Sequence, residues 1–149
     1  KFAVEFSNLI NDKWKIIYKL HPGEYSNWKK RYPWLANSGI EVVDSLRHNI
    51  YEYFAISNVQ VGVSSTAIFE GLGFGLDTFI FNTVSAECMK QLCQDGFAAE
   101  VNSAKELADK LEKNIKSKKN KDKLFWKENA FNNLCVEINK CIDSTTACS

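Results

Sequence analysis

The sequence predicts an α/β fold in which a parallel sheet of about five strands lies between layers of helices. Short β-rich runs alternate with stretches whose apolar residues recur at helical spacing. The β-rich runs are separated by enough residues for helical crossovers, which parallel neighbours require. The composition, 45% hydrophobic and 25% charged over 149 residues, is that of a globular domain able to bury a core.

Six elements are predicted in the first part of the chain from apolar spacing and β-rich composition. His21-Pro22-Gly23 stops the first strand, and Asn37-Ser38-Gly39 closes the second helix. Asp44 and Ser45 end the second strand. In order, the elements are helix Phe2–Ile10, strand Trp14–Leu20, helix Tyr25–Leu35, strand Ile40–Val43, helix Asn49–Ser57 and strand Val59–Val63.

The remaining elements continue the alternation. The next helix begins at Ser65 or Thr66, and Gly73 and Gly75 end it. Ser103, followed three residues later by Glu106, predicts a capping box for a later helix. After the glycine-ended helix come strand Thr78–Phe81, helix Ala86–Gln94, strand Phe97–Val101, helix Ser103–Ile115 and helix Leu124–Ile142.

These elements predict a Rossmann-like domain over residues 1–115. A basic connector at 116–123 and a C-terminal helix with a polar tail at 124–149 follow it. The predicted order opens on a helix at Phe2, whereas a Rossmann-like unit opens on a strand. We therefore expect a first strand, or a whole preceding domain, upstream; the alternative is a helix that packs on the sheet edge.

Composition and motifs exclude several classes of function. The net charge of +1 gives no overall attraction to nucleic acid. The five cysteines lack the paired spacing of a zinc site, so we expect free thiols in a reducing cytosol and no metal. The sequence contains no GxGxxG after a strand, no GxxxxGKS/T, no HExxH and no GxSxG. No apolar run approaches the ~20 residues that span a bilayer, which favours a cytoplasmic protein.

The junction between the third strand and the following helix predicts an anion site. Ser64, Ser65 and Thr66 lie where unpaired backbone N–H groups and the helix dipole favour a phosphate. A helix cap needs only one of these three hydroxyls, and capping is the alternative explanation. Glu70 lies four residues after Thr66 on the same helix face, where its carboxylate could accept hydrogen bonds from sugar hydroxyls.

Other polar residues follow the predicted strands at the same edge of the sheet, where ligands collect in parallel α/β folds. His21 lies in a loop restricted by Pro22 and could donate a hydrogen bond to a phosphate oxygen, although a solvated histidine is the simpler explanation. Asp44 and Ser45 follow the second strand, and Asn82 follows the fourth. A phosphate pocket formed by His21 and the serine turn is therefore predicted.

Three short motifs carry a resemblance to a known group of enzymes. They are Leu20-His21-Pro22-Gly23-Glu24, Ile50-Tyr51-Glu52-Tyr53-Phe54 and Val61-Gly-Val-Ser-Ser-Thr-Ala-Ile-Phe-Glu-Gly71. The chain resembles the C-terminal half of GT-B-fold enzymes of bacterial surface polysaccharides. Among these are CDP-glycerol glycerophosphotransferases, capsular sialyl- and polysialyltransferases, and UDP-N-acetylglucosamine 2-epimerases. The epimerases carry Asp-Ser-Gly-Gly where this chain has Val63-Ser-Ser-Thr66, which favours the transferases.

The resemblance implies roles for particular residues. His21, Ser64, Ser65 and Thr66 would contact the donor phosphates, with His21 stabilising the leaving group. Glu70 would hold the ribose. The loop that contains Asp44, Ser45 and His48 would lie against the base.

The function implied is donor binding, with a nucleotide-sugar or CDP-linked polyol as substrate and no cofactor, in capsular or cell-wall polysaccharide synthesis. An N-terminal GT-B domain and a polysaccharide acceptor would be partners, the chain would be inactive alone, and the full-length protein could associate peripherally with the inner face of the membrane. A nucleotide-sugar 2-epimerase and a non-catalytic nucleotide-binding or assembly module remain as alternatives.

Overall fold

The computed structural model describes residues 1–10, 13–114, 125 and 128–146 of the chain. The strands are β1 (Ile17–Lys19), β2 (Glu41–Val43), β3 (Val59–Gly62), β4 (Asp77–Phe81) and β5 (Ala99–Val101). The helices are α1 (Phe2–Ser7), α2 (Trp28–Arg31), α3 (Pro33–Ala36), α4 (Ile50–Ile56), α5 (Thr66–Gly73), α6 (Lys90–Gln94), α7 (Ala104–Glu112) and α8 (Ala130–Thr146). Turns of 3-10 helix cover Pro22–Glu24 and Val84–Met89. The predicted α/β alternation is confirmed.

The strands are parallel but form two sheets. β1 pairs with β2 in register Ile17↔Glu41, whereas β3, β4 and β5 form a separate sheet in that order. The prediction of one sheet of about five strands is therefore wrong. Apolar patterning specifies that a segment is a strand and which way its side chains face, but it does not specify the neighbouring strand.

Helices cover both faces of the three-stranded sheet. Thr78 and Ile80 of β4 alternate with Phe79 and Phe81, so the two pairs point to opposite faces. Ile80 packs in a cluster with Ile68 and Leu72 of α5 and Leu92 of α6. Phe79 packs in a second cluster with Phe6 of α1 and Leu107 of α7. β4 thus lies inside a helix–sheet–helix sandwich.

The two-stranded sheet has its own aromatic cluster, in which Leu20, Trp28 and Leu35 are buried. One helix was predicted over Tyr25–Leu35, and this prediction is wrong because α2 ends at Arg31 and α3 begins at Pro33. Pro33 excludes helical geometry from the residue before it, and Tyr32 accordingly has φ −125° and ψ 61°.

Three other predicted segments differ from the structure. Ala86–Gln94 is a 3-10 segment followed by α6 rather than one helix. Ser103 caps α7 by accepting from the Glu106 N–H, but the Glu106 carboxylate reaches the N–H of Asn102, so the predicted capping box is not formed. The last helix, predicted over Leu124–Ile142, begins at Ala130 after a turn at Glu128 and Asn129, and it runs to Thr146, beyond the predicted start of the polar tail at Asp143. The connector predicted at 116–123 lies outside the described residues.

Candidate functional site

The start of α5 uses one of its three hydroxyl groups as a cap. Ser65 is the N-cap residue, and its Oγ accepts from the Ala67 N–H at 3.3 Å. Ser64 and Thr66 are exposed, and their hydroxyls have no hydrogen-bond partner among the described residues. The cap therefore accounts for Ser65 and leaves two hydroxyl groups beside the positive end of the helix.

A polar contact that was not predicted from the sequence holds α5 against the sheet. Gln60 of β3 donates from Nε2 to the Ile68 carbonyl at 2.8 Å and to Thr78 Oγ1 at 2.9 Å. Gly71 makes room for this side chain, because a Cβ there would lie 2.1 Å from Gln60 Oε1. The signal in the sequence was a glutamine inside an apolar strand, with a glycine in the next helix.

Gly62 allows a second close approach at the same junction. A Cβ at this position would lie 2.9 Å from Ile68 Cδ1. Because Ile68 is buried in the core beneath α5, a larger residue at position 62 would force the Ile68 side chain to shift within that core. Gln60 and Gly62 thus allow α5, which follows the serine turn, to pack closely on the sheet.

His21 is oriented by the turn that follows β1. Its Nδ1 accepts from the Gly23 N–H at 3.1 Å, and its backbone N–H donates to Glu24 Oε2 at 3.2 Å. An Nδ1 that accepts carries no proton, so the neutral imidazole is held as the Nε2–H tautomer. His21 is exposed, which leaves Nε2–H as a donor for a ligand oxygen.

Asp44 follows β2 as His21 follows β1, and the two residues lie at the same end of the two-stranded sheet because the strands are parallel. The Leu20 N–H donates to the Val43 carbonyl at 3.1 Å, which keeps the two loops adjacent. Asp44 Oδ2 accepts from the indole Nε1 of buried Trp28 at 2.6 Å. This carboxylate thus has a structural role, which leaves its second oxygen for other contacts.

The other two residues expected near a base differ in their contacts. His48 Nδ1 lies 3.0 Å from Glu52 Oε2, and Glu52 Oε1 accepts from the Asn49 N–H at the start of α4. The Asn49 N–H, with the His48 contact, holds the pKa of Glu52 below its ordinary value. Ser45 is exposed and has no hydrogen-bond partner in the described part of the chain.

Glu70 is half-buried on α5, and none of the described residues forms a hydrogen bond or ion pair with its carboxylate. A half-buried carboxylate with no protein partner is poorly stabilised unless water or a ligand satisfies it. Thr83, which follows β4 and Asn82, carries a second unsatisfied group. Its Oγ1 is buried and has no partner among the described residues.

The candidate residues thus form two groups. His21, Asp44, Ser45 and His48 follow the strands of the two-stranded sheet, and the serine turn with Glu70 follows β3. No hydrogen bond between described residues joins the groups. A cavity of about 510 Å³ lies elsewhere, at the amino ends of β1 and β2 beside Trp14, Ser38 and Glu41, and contains none of the candidate residues.

The described residues contain no group of three or more His, Cys, Asp or Glu side chains that could hold a metal ion. Cys88, Cys93 and Cys135 are free thiols. None of the helices in the described ranges is both long enough and apolar enough to cross a membrane.

In comparisons with known proteins, no family model, no curated sequence and no solved structure matches this chain.

Proposed function

We propose that this chain binds the donor nucleotide of a GT-B transferase that acts in capsular or cell-wall polysaccharide synthesis. One observation carries the proposal: the hydroxyls of Ser64 and Thr66 are exposed and unpaired beside the N-terminus of α5, while Ser65 alone provides the cap. A cap explains one hydroxyl, and a phosphate ligand explains all three.

Two further groups fit the same ligand. Because Nδ1 of His21 accepts from the Gly23 N–H, the Nε2–H of the ring is left to donate a hydrogen bond to a phosphate oxygen. The carboxylate of Glu70 has no partner among described residues and would accept hydrogen bonds from ribose hydroxyls. These groups lie after parallel strands, where ligands bind in folds of this class.

The proposed contribution to catalysis is electrostatic. As the transferred group departs, negative charge grows on the nucleotide diphosphate. The His21 donor, the serine turn and the N–H groups of α5 would stabilise that charge. The acceptor site and the catalytic base would come from another GT-B domain, so the chain alone would bind donor without turnover.

Calorimetric titration with CDP, CMP and UDP tests the proposal. We expect one nucleotide to bind, and we expect Ser64→Ala, Thr66→Val and His21→Asn each to weaken binding by about tenfold or more. Asparagine at position 21 keeps an acceptor for the Gly23 N–H but removes the imidazole Nε2–H.

The matched control removes a cap hydroxyl from a different helix. Ser103→Ala deletes the bond from the Glu106 N–H to Ser103 Oγ at the start of α7 and should leave nucleotide affinity unchanged. Thermal unfolding of every variant separates loss of ligand contacts from loss of stability. If the folded wild-type chain binds no nucleotide at millimolar concentration, the proposal fails.

A further inference from the structure

The hydrogen-bonding pattern of β1 leaves one side of this strand open. In a parallel pair, the N–H and C=O groups of one residue point to the same neighbouring strand, and those of the next residue point to the opposite side. The Leu20 N–H donates to Val43 on β2, so Tyr18 also faces β2. The backbone groups of Ile17 and Lys19 therefore face the opposite side, where no described strand pairs with them.

β3 has an open side of the same kind. The Asp77 N–H of β4 bonds to the Asn58 carbonyl, so Asn58 and Gln60 face β4 by alternation. Val59 and Val61 face away from β4, and no described strand lies on that side. Val61 is 41% exposed, whereas residues 78–80 of the neighbouring β4 are 1–2% exposed.

The faces on which the helices pack show how the two sheets are related. Ile16, Tyr18 and Leu20 share one face of β1 by alternation. Ile16 packs against the cluster of α1 and α7, and Tyr18 and Leu20 pack in the cluster of α2 and α3. α1, α2 and α3 therefore lie on one face, whereas α5 and α6 pack on the opposite face from α1.

Handedness then gives the order of the strands. Parallel crossovers are right-handed, so helices on opposite faces mean that the chain advances in opposite directions across the sheet. The step across the sheet from β1 to β2 is therefore opposite in direction to the steps from β3 to β4 and from β4 to β5. Ile16 before β1 and Val59 of β3 pack against the same cluster, so β1 and β3 are the neighbouring strands of the two sheets. The open side of β1 therefore faces the open side of β3.

We propose that a parallel β-strand of the same polypeptide, joined directly to the start of α1, fits between β1 and β3 and makes one continuous sheet. A right-handed crossover from that strand through α1 to β1 places α1 on the face where it packs. The strand has about five residues and is apolar on both sides, because helices cover both faces of a central parallel strand.

The inserted strand has a consequence for the candidate site. His21 comes five residues after Ile16, and Ser64 comes five residues after Val59. With one strand between them, β1 and β3 lie two strand spacings apart, about 10 Å. His21 and the serine turn then share one edge of the sheet, although the strand itself does not depend on what the site binds.

Amide exchange followed by NMR tests the proposal first in the 149-residue chain. We expect the Ile17, Lys19, Val59 and Val61 amides to exchange rapidly, while those of Tyr18, Gln60 and β4 are protected. Sedimentation should show a monomer. A dimer in which the four amides are already protected would identify a second copy as the occupant and overturn the proposal.

The second arm adds the strand Val-Val-Ile-Val-Thr and a short Gly-Ser turn ahead of Lys1. We expect exchange at the four amides to slow by about tenfold or more in this chain. In the matched control, Val-Pro-Pro-Val-Thr, prolines remove one ladder donor on each side of the added strand, and exchange should remain rapid. The proposal fails if both extensions protect the amides equally, if neither protects them, or if the strand extension unfolds β4.

Discussion

The unit of β1, β2, α2 and α3 and the unit of β3, β4, β5 and their helices are built alike but stabilised differently. The first, the β1–β2 unit, has one cluster with three buried residues. Its loops are joined by polar contacts, from Trp28 to Asp44, from Tyr32 to Glu24 and from Lys19 to Tyr25. The second, the β3–β5 unit, buries apolar clusters on both faces of β4.

This difference matters for the proposed site because each unit supplies one part of it. The serine turn is attached to the more deeply buried unit through Gln60 and Gly71. His21 belongs to the unit whose loops depend on exposed or half-buried hydrogen bonds, which individually contribute little. The serine turn is thus expected to keep its geometry under conditions in which the His21 loop does not.

The largest expected effect compares two buried leucines. Leu72 of α5 is 0% exposed and Leu35 of α3 is 1% exposed. We expect Leu72→Ala to cost about 4 kcal/mol and Leu35→Ala about 3 kcal/mol, because the smaller cluster can collapse more easily around the lost side chain. Urea unfolding followed by circular dichroism measures both free energies of unfolding.

Tryptophan fluorescence adds information on the β1–β2 unit, because Trp28 and Trp34 belong to its aromatic cluster. Leu35→Ala should shift the fluorescence transition to lower urea than the circular dichroism transition, and Leu72→Ala should shift both together. Leu46→Ala, at a side chain that is 77% exposed, is the control and should have little effect. Coincident transitions in Leu35→Ala would mean that the two units unfold as one.

A smaller effect is expected at the contact that positions the serine turn. Gly71→Ala places a methyl group against the Gln60 side chain, which must then give up its bonds to Ile68 and Thr78. We expect a cost of about 1–3 kcal/mol in the free energy of unfolding and weaker nucleotide binding.

A double-mutant cycle with Gln60→Ala isolates this contact. Once the glutamine is removed, Gly71→Ala should be much less harmful, because the atom it would meet is gone. Additive losses in the double variant would show that the Gln60 contact is not the reason for the glycine. Gly96 is unsuitable as a control, because its φ of 76° makes any substitution strained.

Local sequence patterns indicated correctly where a helix begins when a single capping residue determines its start. Asn49 caps α4 and Ser65 caps α5, as their residue types indicate. The pairing of Glu106 was missed because two neighbouring N–H groups compete for one carboxylate, and Asn102 provides a second donor from its side chain. Capping motifs thus predict where a helix begins more reliably than which hydrogen bonds form there.

The division into two sheets was outside the reach of the sequence. Ile17 and Val59 have the composition of strands, but strand neighbours depend on contacts between distant parts of the chain. The same applies to the Trp28–Asp44 bond, which joins residues 16 positions apart. His21 and Ser64 were identifiable as candidates because each follows a strand directly, a property that requires no tertiary information.

The smallest expected effect is a difference in acid sensitivity between the units. The hydrogen bond from the Tyr32 hydroxyl is the main cause that lowers the pKa of Glu24, and the His21 N–H lowers it further. Because the pKa is lower in the folded protein, this contribution to stability is present above the ordinary glutamate pKa and is lost as pH falls through the folded value. The β1–β2 unit should therefore loosen below about pH 4.3.

Tryptophan fluorescence between pH 6 and pH 3 follows this change at Trp28, and Glu24→Gln should reduce the acid-induced signal because glutamine does not titrate. Glu106 is the matched control in the β3–β5 unit. The Asn102 N–H is the main cause that lowers its pKa, so Glu106→Gln should change acid stability near α7 without altering the tryptophan signal. If the acid transition is unchanged in Glu24→Gln, groups other than Glu24 control the His21 loop. The predicted difference in acid sensitivity between the two units would then be wrong.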